Sequence, residues 1–427
     1  MNKPLPLIVE TPDESLEEFL KLEGICMAEY ALKDFEGHYF SYIHSVYRPV
    51  LSLGLKFLSL ANIDVDASIK RCFPTAAVFS NLTYRARLSK FLNFFIDPVL
   101  ANWIFFRDLS CKCSSLVNSR WLVLSVTADH SNLIGWAFWI MKFPIMRAPV
   151  LVLMLRFSYY SVHTNRWRPS VIWLKLGLWA LLIASRGRRV IFAVDSEVLG
   201  EQYRKLTSIP IRVLPIPHTA LKIDHQPNHS LNKKITFTSL GGVRLTKGFG
   251  VLAQAIQILH EQGLLTNIQF DLQCYQSEWG SSGSEAVDSL KKLNLPNVKL
   301  IETSLSEEEY SRLLIAADVV LIPFFRDIYY ANTSGTFTEA VAAGKPVIVT
   351  EDTWMSLQLN LSGAGLTFKD QDALDLARAI REIHDNYENF SNKAWLNRKD
   401  WIQYHNPENF LRALIASAQA PDYGVRF

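Results

Sequence analysis

Cysteine is scarce in this sequence, with five residues among 427. Their spacing matches neither a zinc site nor a disulfide framework, so we expect reduced thiols, as in a cytoplasmic protein. The scattered positions are Cys26, Cys72, Cys111, Cys113 and Cys274. The first residues contain no basic stretch followed by an apolar one, which predicts that there is no signal peptide.

Three further features are missing. The chain has no internal repeat. No Asp-x-Asp pair lies in a suitable loop, so we predict chemistry without a bound metal. Lys and Arg form no long runs in the amino-terminal half. They alternate instead with Trp, Phe and Leu, which fits a membrane surface better than nucleic acid.

The composition is that of a globular protein, with 49% hydrophobic and 20% charged residues. A chain of this length predicts two domains of about 200 residues each. The net charge is only +3, but residues 1–220 carry 25 Lys and Arg against 17 Asp and Glu. The remainder carries 19 against 24. The basic amino-terminal half is therefore expected to meet something anionic.

Short strands alternate with helices in the carboxyl-terminal half, which predicts a parallel sheet built from βαβ units. The predicted strands are 235–240, 268–274, 298–301, 319–323 and 346–350, and the predicted helices are 249–262, 286–293, 307–316 and 335–343. In the amino-terminal half the predicted strands are 25–32, 55–60, 76–79, 121–127, 150–157, 190–195 and 212–215.

This pattern predicts an α/β protein of two Rossmann-like domains that face each other across a cleft. Ligands in such sheets bind at the carboxyl ends of the strands. We divide the chain into an acidic extension (1–24), a first domain (25–217), a polar linker (218–232), a second domain (233–387) and carboxyl-terminal helices (388–427) that could pack back on the first domain.

The stretch LGGVRLTKG, residues 240–248, follows a predicted strand and opens a helix. Gly241 and Gly242 allow a tight turn and close approach to a ligand. The helix amino terminus offers free N–H groups, and Arg244 and Lys247 add two cations at the same end. This arrangement suits a diphosphate, including one that is leaving with new negative charge. The alternative is two solvated cations in a loop.

The stretch SGTFTEAVAAGKPVIVTE, residues 334–351, begins another helix. Ser334, Gly335 and Thr336 lie where backbone N–H groups are available to phosphate oxygens. Glu339 falls one turn into the helix, where its carboxylate could accept hydrogen bonds from the hydroxyls of a ribose. The alternative is an ordinary helix cap with an acid in the first turn.

Together the two stretches resemble retaining glycosyltransferases of the GT-B fold, the group 1 glycosyltransferases that include bacterial polysaccharide and lipid-glycan enzymes. GGVRLTKGFGVLAQAIQIL is similar to the pattern GxxRxxKGxxxLxxA of that group. AADVVLIPFF…SGTFTEAVAAGKPVIVTEDTW…GAGLTF is similar to the region around its Glu-bearing helix. The resemblance covers 235–383 and is weaker before it.

The resemblance implies a nucleoside-diphosphate-sugar donor, such as a UDP- or GDP-sugar, in the second domain and no cofactor. It places Arg244 and Lys247 at the diphosphate and Glu339 at the ribose. One position departs from the family. The first of two glutamates that the group usually shows would fall on Ala331, which leaves the sugar open. Asp327 or Tyr330 could replace that contact.

Three positions of the first domain are candidates for catalysis or acceptor binding. In DFEGH, residues 34–38, Gly37 matches a family loop that closes over phosphate and acceptor, and His38 could touch the acceptor. Arg156 ends a predicted strand where relatives often have a His. His130, in TADHS, follows another strand. The alternatives are a surface His at 38 and a surface Arg at 156 whose stem is buried.

Residues 170–189 are apolar nearly all round, with Lys175 inside and arginines on both sides. The apolar part, 171–185, is too short to span a bilayer comfortably. It is either a buried crossover helix or an interfacial helix among anionic headgroups. Residues 132–147 have the same character, which favours membrane contact by the whole domain.

We therefore interpret the protein as a bacterial-type GT-B glycosyltransferase, retaining and metal-independent, that works at the cytoplasmic face of the membrane. The first domain would hold a glycan or lipid-linked acceptor, and no nucleic acid is expected. Two alternatives remain. The protein could be a sugar-nucleotide epimerase on the same fold, or a binding subunit without activity, because Ala331 replaces the usual Glu.

Overall fold

The protein is described as a computed structural model. The described residues are 22–35, 38–80, 90–218, 226, 234–275 and 283–419. Within them the chain forms two parallel sheets, of seven and six strands, and a two-stranded antiparallel hairpin. Most of the predicted linker, 218–232, lies outside the described residues.

The first sheet belongs to the amino-terminal domain. The elements of this domain are β1 (Gly24–Ala28), α1 (His38–Ser52), β2 (Lys56–Asn62), α2 (Ala67–Cys72), β3 (Thr75–Phe79), α3 (Lys90–Lys112), β4 (Trp121–Ser125), α4 (Leu133–Met141), β5 (Val150–Met154), β6 (Tyr160–Ser161), β7 (Arg166–Trp167), α5 (Val171–Ala184), β8 (Val190–Val194), α6 (Glu197–Arg204) and β9 (Ile211–Val213). The strand order is β3-β2-β1-β4-β5-β8-β9, and β6 and β7 form the hairpin.

Alternate side chains of β1 point to opposite faces of this sheet, as the pleat of a strand requires. Cys26 and Ala28 pack in the buried cluster formed with α3, α4 and α5. Ile25 and Met27 pack in the cluster on the other face, with α1. Since both faces of the strand are covered, it is apolar throughout, as is typical of parallel sheets.

The second sheet belongs to the carboxyl-terminal domain. Its elements are β10 (Ile235–Ser239), α7 (Phe249–Glu261), β11 (Ile268–Gln273), α8 (Ser284–Leu293), β12 (Val298–Ile301), α9 (Glu307–Ala316), β13 (Val319–Ile322), α10 (Arg326–Tyr329), α11 (Gly335–Ala342), β14 (Val347–Thr350), α12 (Trp354–Ser362), β15 (Gly365–Phe368) and α13 (Ala373–Asp385). The strand order is β12-β11-β10-β13-β14-β15. β10 and β13 are therefore parallel neighbours, with Phe237 level with Val319.

The two predicted Rossmann-like sheets are present, and the bounds of all twelve predicted strands lie within four residues of observed ones. The predicted strand 25–32 is too long, because the chain leaves the sheet after Ala28. The predicted strand 150–157 likewise ends at Met154. The hairpin β6–β7 was not predicted, because strands of two residues carry no detectable alternation.

Two final helices cross between the domains. α14 (Tyr387–Tyr404) packs on α11 of the carboxyl-terminal domain, whereas α15 (Pro407–Gln419) packs on α1 of the amino-terminal domain. Between these helices, the buried His405 accepts a hydrogen bond at Nδ1 from the Ile216 amide, at 3.0 Å. Burial lowers the pKa of His405 to about 3, so this ring is neutral. The chain passes between the domains twice, after residue 216 and again near residue 405. This hydrogen bond joins the two connecting segments to each other.

Among the described residues, no helix combines the length and the apolar character needed to cross a bilayer. α5 has 14 residues. The five cysteines are all unpaired.

Candidate active site

A glycine-bearing loop follows β10 at the carboxyl edge of the second sheet. The Gly241 amide donates to Gln273 Oε1 at 2.7 Å, and the Val243 amide donates to the Tyr275 carbonyl at 2.8 Å. Gly241 has a φ of 107°, and a Cβ there would collide with Lys247 Nζ. Glycine is favoured at 241 because this φ lies in a region that L side chains rarely adopt, and its missing side chain leaves room for the Lys247 ammonium.

The same loop is fastened to the segment that follows β13. Gly248, with a φ of 67°, precedes α7, and a Cβ there would strike the Pro323 carbonyl. The Phe325 amide donates to the Thr246 carbonyl at 2.9 Å. Because β10 and β13 are neighbours in a parallel sheet, their two following loops meet at one edge. The structure therefore brings the first motif against residues 323–325, from which the chain leads through residues 326–334 to the second motif.

The two cations of this loop differ in their surroundings. Arg244 is exposed, and no carboxylate of the described residues pairs with it. Lys247 Nζ lies 5.4 Å from the centre of the Phe324 ring. Burial, followed by repulsion from Arg244, lowers the pKa of Lys247 to about 8. Among the described residues the two cations have no carboxylate counterion, an arrangement of positive charge that favours binding of an anion.

The amino terminus of α11 is open towards the same edge. Ser334 caps this helix, since its Oγ accepts from the Phe337 amide at 3.3 Å. Within the described chain, the amides of Gly335 and Thr336 donate no hydrogen bond. These two N–H groups and the dipole of the helix can therefore receive an anionic oxygen.

Glu339 is half-buried in α11, and its Oε2 accepts a hydrogen bond of 2.6 Å from the Tyr310 hydroxyl. Removal of the carboxylate from water raises the pKa of Glu339 to about 7. The bond from Tyr310 acts against this shift, and the charge of Glu307 adds to it. A ribose hydroxyl could replace the Tyr310 hydroxyl as the donor to this carboxylate, so the predicted ribose contact is chemically feasible. It stays a prediction.

Arg156 lies opposite, at the carboxyl edge of the first sheet. Met154 of β5 is level with Ala193 of β8, so Arg156 and Asp195 leave the sheet side by side. Arg156 Nε donates to Asp195 Oδ2 at 3.0 Å, and its guanidinium lies 5.0 Å from the centre of the Tyr42 ring. Unlike Arg244, this predicted catalytic cation has its charge balanced by a buried carboxylate.

Glu29 is a cleft residue that the sequence did not single out. It follows β1 and is fully buried, with Oε2 accepting from Thr127 Oγ1 at 2.6 Å and Oε1 from the Ala31 amide at 3.0 Å. Burial raises the pKa of Glu29 to about 7, although both hydrogen bonds and Arg156 lower it. A lone acid behind a strand has no spacing pattern, so only the geometry could reveal it.

Tyr39 of α1 connects the two edges electrostatically. Burial, followed by the charge of Glu29, raises the pKa of its hydroxyl to about 12, whereas Arg156 and Arg244 act in the opposite direction. Arg244 of the second domain and Arg156 of the first therefore both lie within electrostatic range of one residue. Glu29, Arg156 and Arg244 therefore all lie close enough to Tyr39 to influence the pKa of its hydroxyl.

Residues 233–386 match the family described as Glycosyl transferases group 1. The carboxyl-terminal domain is a group 1 glycosyltransferase domain. No curated protein sequence matches the chain.

Solved structures share the whole GT-B fold at low identity. HepE from Anabaena, solved with UDP, is 12% identical with a TM-score of 0.63, covering 93% of this chain and 100% of its own. TarM from S. aureus, solved with Fondaparinux, alpha-GlcNAc-glycerol and UDP, is 10% identical with a TM-score of 0.66 over 93% and 100%. A putative UDP-N-acetylglucosamine 2-epimerase from Listeria monocytogenes is 12% identical with a TM-score of 0.56 over 92% and 94%.

The GT-B cleft contains a cavity of about 280 Å³ beside His130. It is lined from both domains, by Asp129, His130, Phe157 and Ser170 on one side and by Ile328 and Asn332 on the other, among other residues. The His130 ring Nδ1 lies 2.8 Å from the Tyr159 hydroxyl. His130 is thus placed in the cleft, but in a different part of it from the Lys247 loop.

The segment after α10 joins the two domains of the protein. The Ser158 amide donates to Asn332 Oδ1 at 3.0 Å, and Thr333 Oγ1 donates to Asp195 Oδ2 at 2.9 Å. Arg168 Nη2 lies 3.1 Å from Asp327 Oδ2. Asp327, which could have replaced the missing family Glu, is therefore occupied by an ion pair.

Ala331 is fully buried against the core of the amino-terminal domain, and Tyr330 packs on the same cluster. A buried methyl group there offers no polar contact to a sugar.

Gly37 lies outside the described residues, and His38 is the first residue of α1. The predicted loop over phosphate and acceptor stays a prediction for both.

Proposed function

We propose that this chain transfers a sugar from a nucleoside-diphosphate-sugar to a glycan or lipid-linked acceptor, with retained anomeric configuration. The observation that carries the proposal is the meeting of two loops at the carboxyl edge of β10 and β13. The first loop carries the desolvated Lys247 and Arg244, which pairs with no carboxylate of the described residues. The connection after β13 leads to the amides of Gly335 and Thr336, which donate no hydrogen bond within the described chain.

In the proposed reaction, the bond between the anomeric carbon and the diphosphate oxygen breaks, and the electron pair leaves with the diphosphate. An acceptor hydroxyl oxygen bonds to the anomeric carbon, and its proton passes to the departing phosphate. Arg244 and Lys247 face the charge that develops on this leaving group, with the helix N–H groups in support. We propose that these groups act without a bound metal.

The proposal includes peripheral contact with an anionic membrane at the cytoplasmic face, through residues 170–189. Trp179 of α5 is 62% exposed. Trp173 is half-buried and donates its indole N–H to the Phe94 carbonyl at 3.0 Å. The interpretation as a fully buried crossover helix fits neither the exposure of Trp179 nor that of Ile172, which is 57% exposed.

Two other functions fit parts of the molecule. The fold is also that of the putative Listeria epimerase, but the family match over 233–386 favours transfer. The buried Ala331 favours a binding subunit, because the first family Glu is absent from the site.

A donor panel tests the proposal. We expect one UDP-, GDP-, ADP- or TDP-sugar to raise the melting temperature of the protein, since a ligand that binds only the folded state stabilises it. Arg244→Ala should abolish the shift, whereas Lys399→Ala, on exposed α14, should preserve it. The stabilising donor is then incubated with membrane lipid extract. Turnover without any acceptor would indicate an epimerase, and binding without turnover would indicate a binding subunit.

A further inference from the structure

Two helices of the amino-terminal domain expose regular stripes of apolar side chains. On α3 the stripe recurs every fourth residue: Phe91, Phe95, Val99 and Trp103. On α5 it comprises Ile172, Leu176, Trp179 and Ile183. Phe91 is 71% exposed and Trp103 is 60% exposed, values that no core packing explains. Apolar stripes at helical spacing normally face a partner.

The stripes belong to one continuous layer. α4 packs against both α3 and α5, and Gly177 allows α5 to approach closely, because a Cβ there would lie 2.6 Å from Leu133 Cβ. The bond from the Trp173 indole to the Phe94 carbonyl joins α5 to α3 directly. Phe138 of α4 is 51% exposed between them. We call this surface, formed by the exposed side chains of α3, α4 and α5, the three-helix face.

The charge around the three-helix face is mainly positive. Between Asp129 and Asp195 the chain has nine Lys and Arg and no Asp or Glu, although Arg156 and Arg168 lie in the cleft and pair with carboxylates. Lys142, Arg147 and Lys175 are exposed there. In α3 the acids are Asp97, which is half-buried, and Asp108, which is buried. A surface that combines exposed Trp and Phe with cations matches the boundary between acyl chains and anionic headgroups.

We propose that the three-helix face docks flat onto a bilayer that contains anionic lipids, with both stripes entering the interface. α5 is too short to cross the membrane, so the helices lie along its surface. The proposed function assigned membrane contact to residues 170–189 alone. This inference adds α3 as an equal half of the contact and fixes which side of the domain faces the lipid.

Docking in this way would also place the cavity near the membrane. Ser170, which lines the cavity, immediately precedes α5, and Asn102 of α3 donates to the carbonyl of His130 at 3.0 Å. The cavity therefore borders the three-helix face. An acceptor anchored in the bilayer could reach it without leaving the lipid, a consequence that rests on the proposed function.

Vesicle flotation of the full chain tests the docking. We compare phosphatidylcholine vesicles with vesicles that also contain phosphatidylglycerol, at low and high salt. Binding should require the anionic lipid and should weaken with salt. Replacing one tryptophan of each stripe, Trp103→Ser with Trp179→Ser, should lower the partition coefficient by about tenfold or more. Leu374→Ser with Leu396→Ser, both exposed on the other domain, is the matched control and should bind normally.

A second pair of variants tests the charge. Arg147→Glu with Lys175→Glu should weaken binding to anionic vesicles by about tenfold or more, because each basic residue near the surface contributes about 1 kcal/mol. Lys393→Glu with Lys399→Glu, exposed on α14, is the control. Circular dichroism is recorded for each variant to check that it is folded.

Four outcomes would overturn the inference: no binding to anionic vesicles at low salt, equal binding by the tryptophan variant, a dimer that the tryptophan variant dissociates, or preferential binding of nucleic acid. The dimer would identify a second copy of the chain as the occupant. The melting-temperature shift by the donor is measured on the same variants. Loss of vesicle binding with a normal donor shift separates failure of the docking from failure of the proposed function.

Discussion

Each half of the cleft holds a glutamate whose pKa is raised to about 7, and the two glutamates differ in access. Glu29 is fully buried and binds Thr127, with Arg156 within electrostatic range. Glu339 is half-buried and binds the Tyr310 hydroxyl, with Glu307 adding repulsion. The two carboxyl groups therefore share a raised pKa but differ in the groups that they can contact. Glu339 can offer its oxygens to a ligand, whereas Glu29 can act only on neighbouring protein groups.

The arginines show the same contrast. Arg156 is paired with Asp195 and covered by Tyr42, whereas Arg244 is exposed beside the Lys247 ammonium. The charge of Arg156 is thus neutralised within the amino-terminal domain, whereas the charge of Arg244 in the carboxyl-terminal domain is available to a ligand. Four measurements test this contrast.

The largest effect on stability is expected at the amino-terminal edge. Arg156→Ala should lower the free energy of unfolding by about 3–5 kcal/mol, because Asp195 is left as a buried charge with only the Thr333 hydroxyl as donor. Urea unfolding measures the loss. Arg156→Ala with Asp195→Asn should recover part of it, and Arg244→Ala should stay within about 0.5 kcal/mol of the parent. Equal losses for both arginines would contradict the contrast.

The largest effect on activity is expected at the carboxyl-terminal edge. Arg244→Ala should lower kcat by roughly 10²–10³, the scale for removing one preorganised electrostatic contact to a developing charge. Glu339→Gln should mainly raise the donor KM, because hydrogen bonds to ribose hydroxyls hardly change during the reaction. Steady-state kinetics, normalised by titration of donor sites, decide the point. If Arg244→Ala raised only the donor KM and Glu339→Gln lowered kcat, the roles assigned to the two residues would be exchanged.

The pKa of Lys247, about 8, predicts a basic limit to donor capture. A lysine with a lowered pKa loses its charge as the pH rises through that value, so the cation is present below pH 8 and absent well above it. We expect kcat/KM to fall about fivefold between pH 8 and pH 9, since this ratio reports the free enzyme. Lys247→Arg keeps its charge and should flatten the profile. A basic limb that persists in Lys247→Arg would assign it to another group.

The smallest effect is the pH dependence of stability at Glu29. An acid whose pKa rises from 4.5 to about 7 on folding holds its proton more tightly in the folded state. Its contribution to stability is present at low pH and is lost as the pH rises to 7. Glu29→Gln should therefore be more stable than the parent by about 1–2 kcal/mol at pH 8 and nearly equal at pH 5. An equal difference at both pH values would exclude this ionisation.

The carboxyl-terminal domain was more predictable than the amino-terminal domain, for physical reasons. Its helices and strands are separated by short Gly-, Ser- and Pro-marked loops, and the predicted helix 307–316 matches α9 residue for residue. In the amino-terminal domain, α3 is rich in aromatic residues on all sides and contains Pro98, so its apolar face could not be separated from its exposed stripe. Periodicity shows a face only when the other face is polar.

The residues of the candidate site also differ in how well the sequence predicted them. Arg244, Lys247 and the start of α11 could be located because glycines and helix starts mark where the backbone meets a ligand. Their roles stay predictions. Arg156 was a candidate, but Glu29 and the pairing of Arg156 with Asp195 could not be predicted, since they depend on which strands are neighbours. That order is set by long-range packing, which no local pattern encodes.

The return of α15 to the first domain has a consequence for how the protein is made. Phe410, Leu411 and Leu414 are buried in the same cluster as α1 and β1, near the other end of the described chain. During synthesis, the domain that leaves the ribosome first therefore lacks part of its interior until nearly all of the chain has been translated. The second domain can complete its own interior earlier. We expect a nascent chain stalled before α15 to present a protease-sensitive first domain attached to a resistant second one.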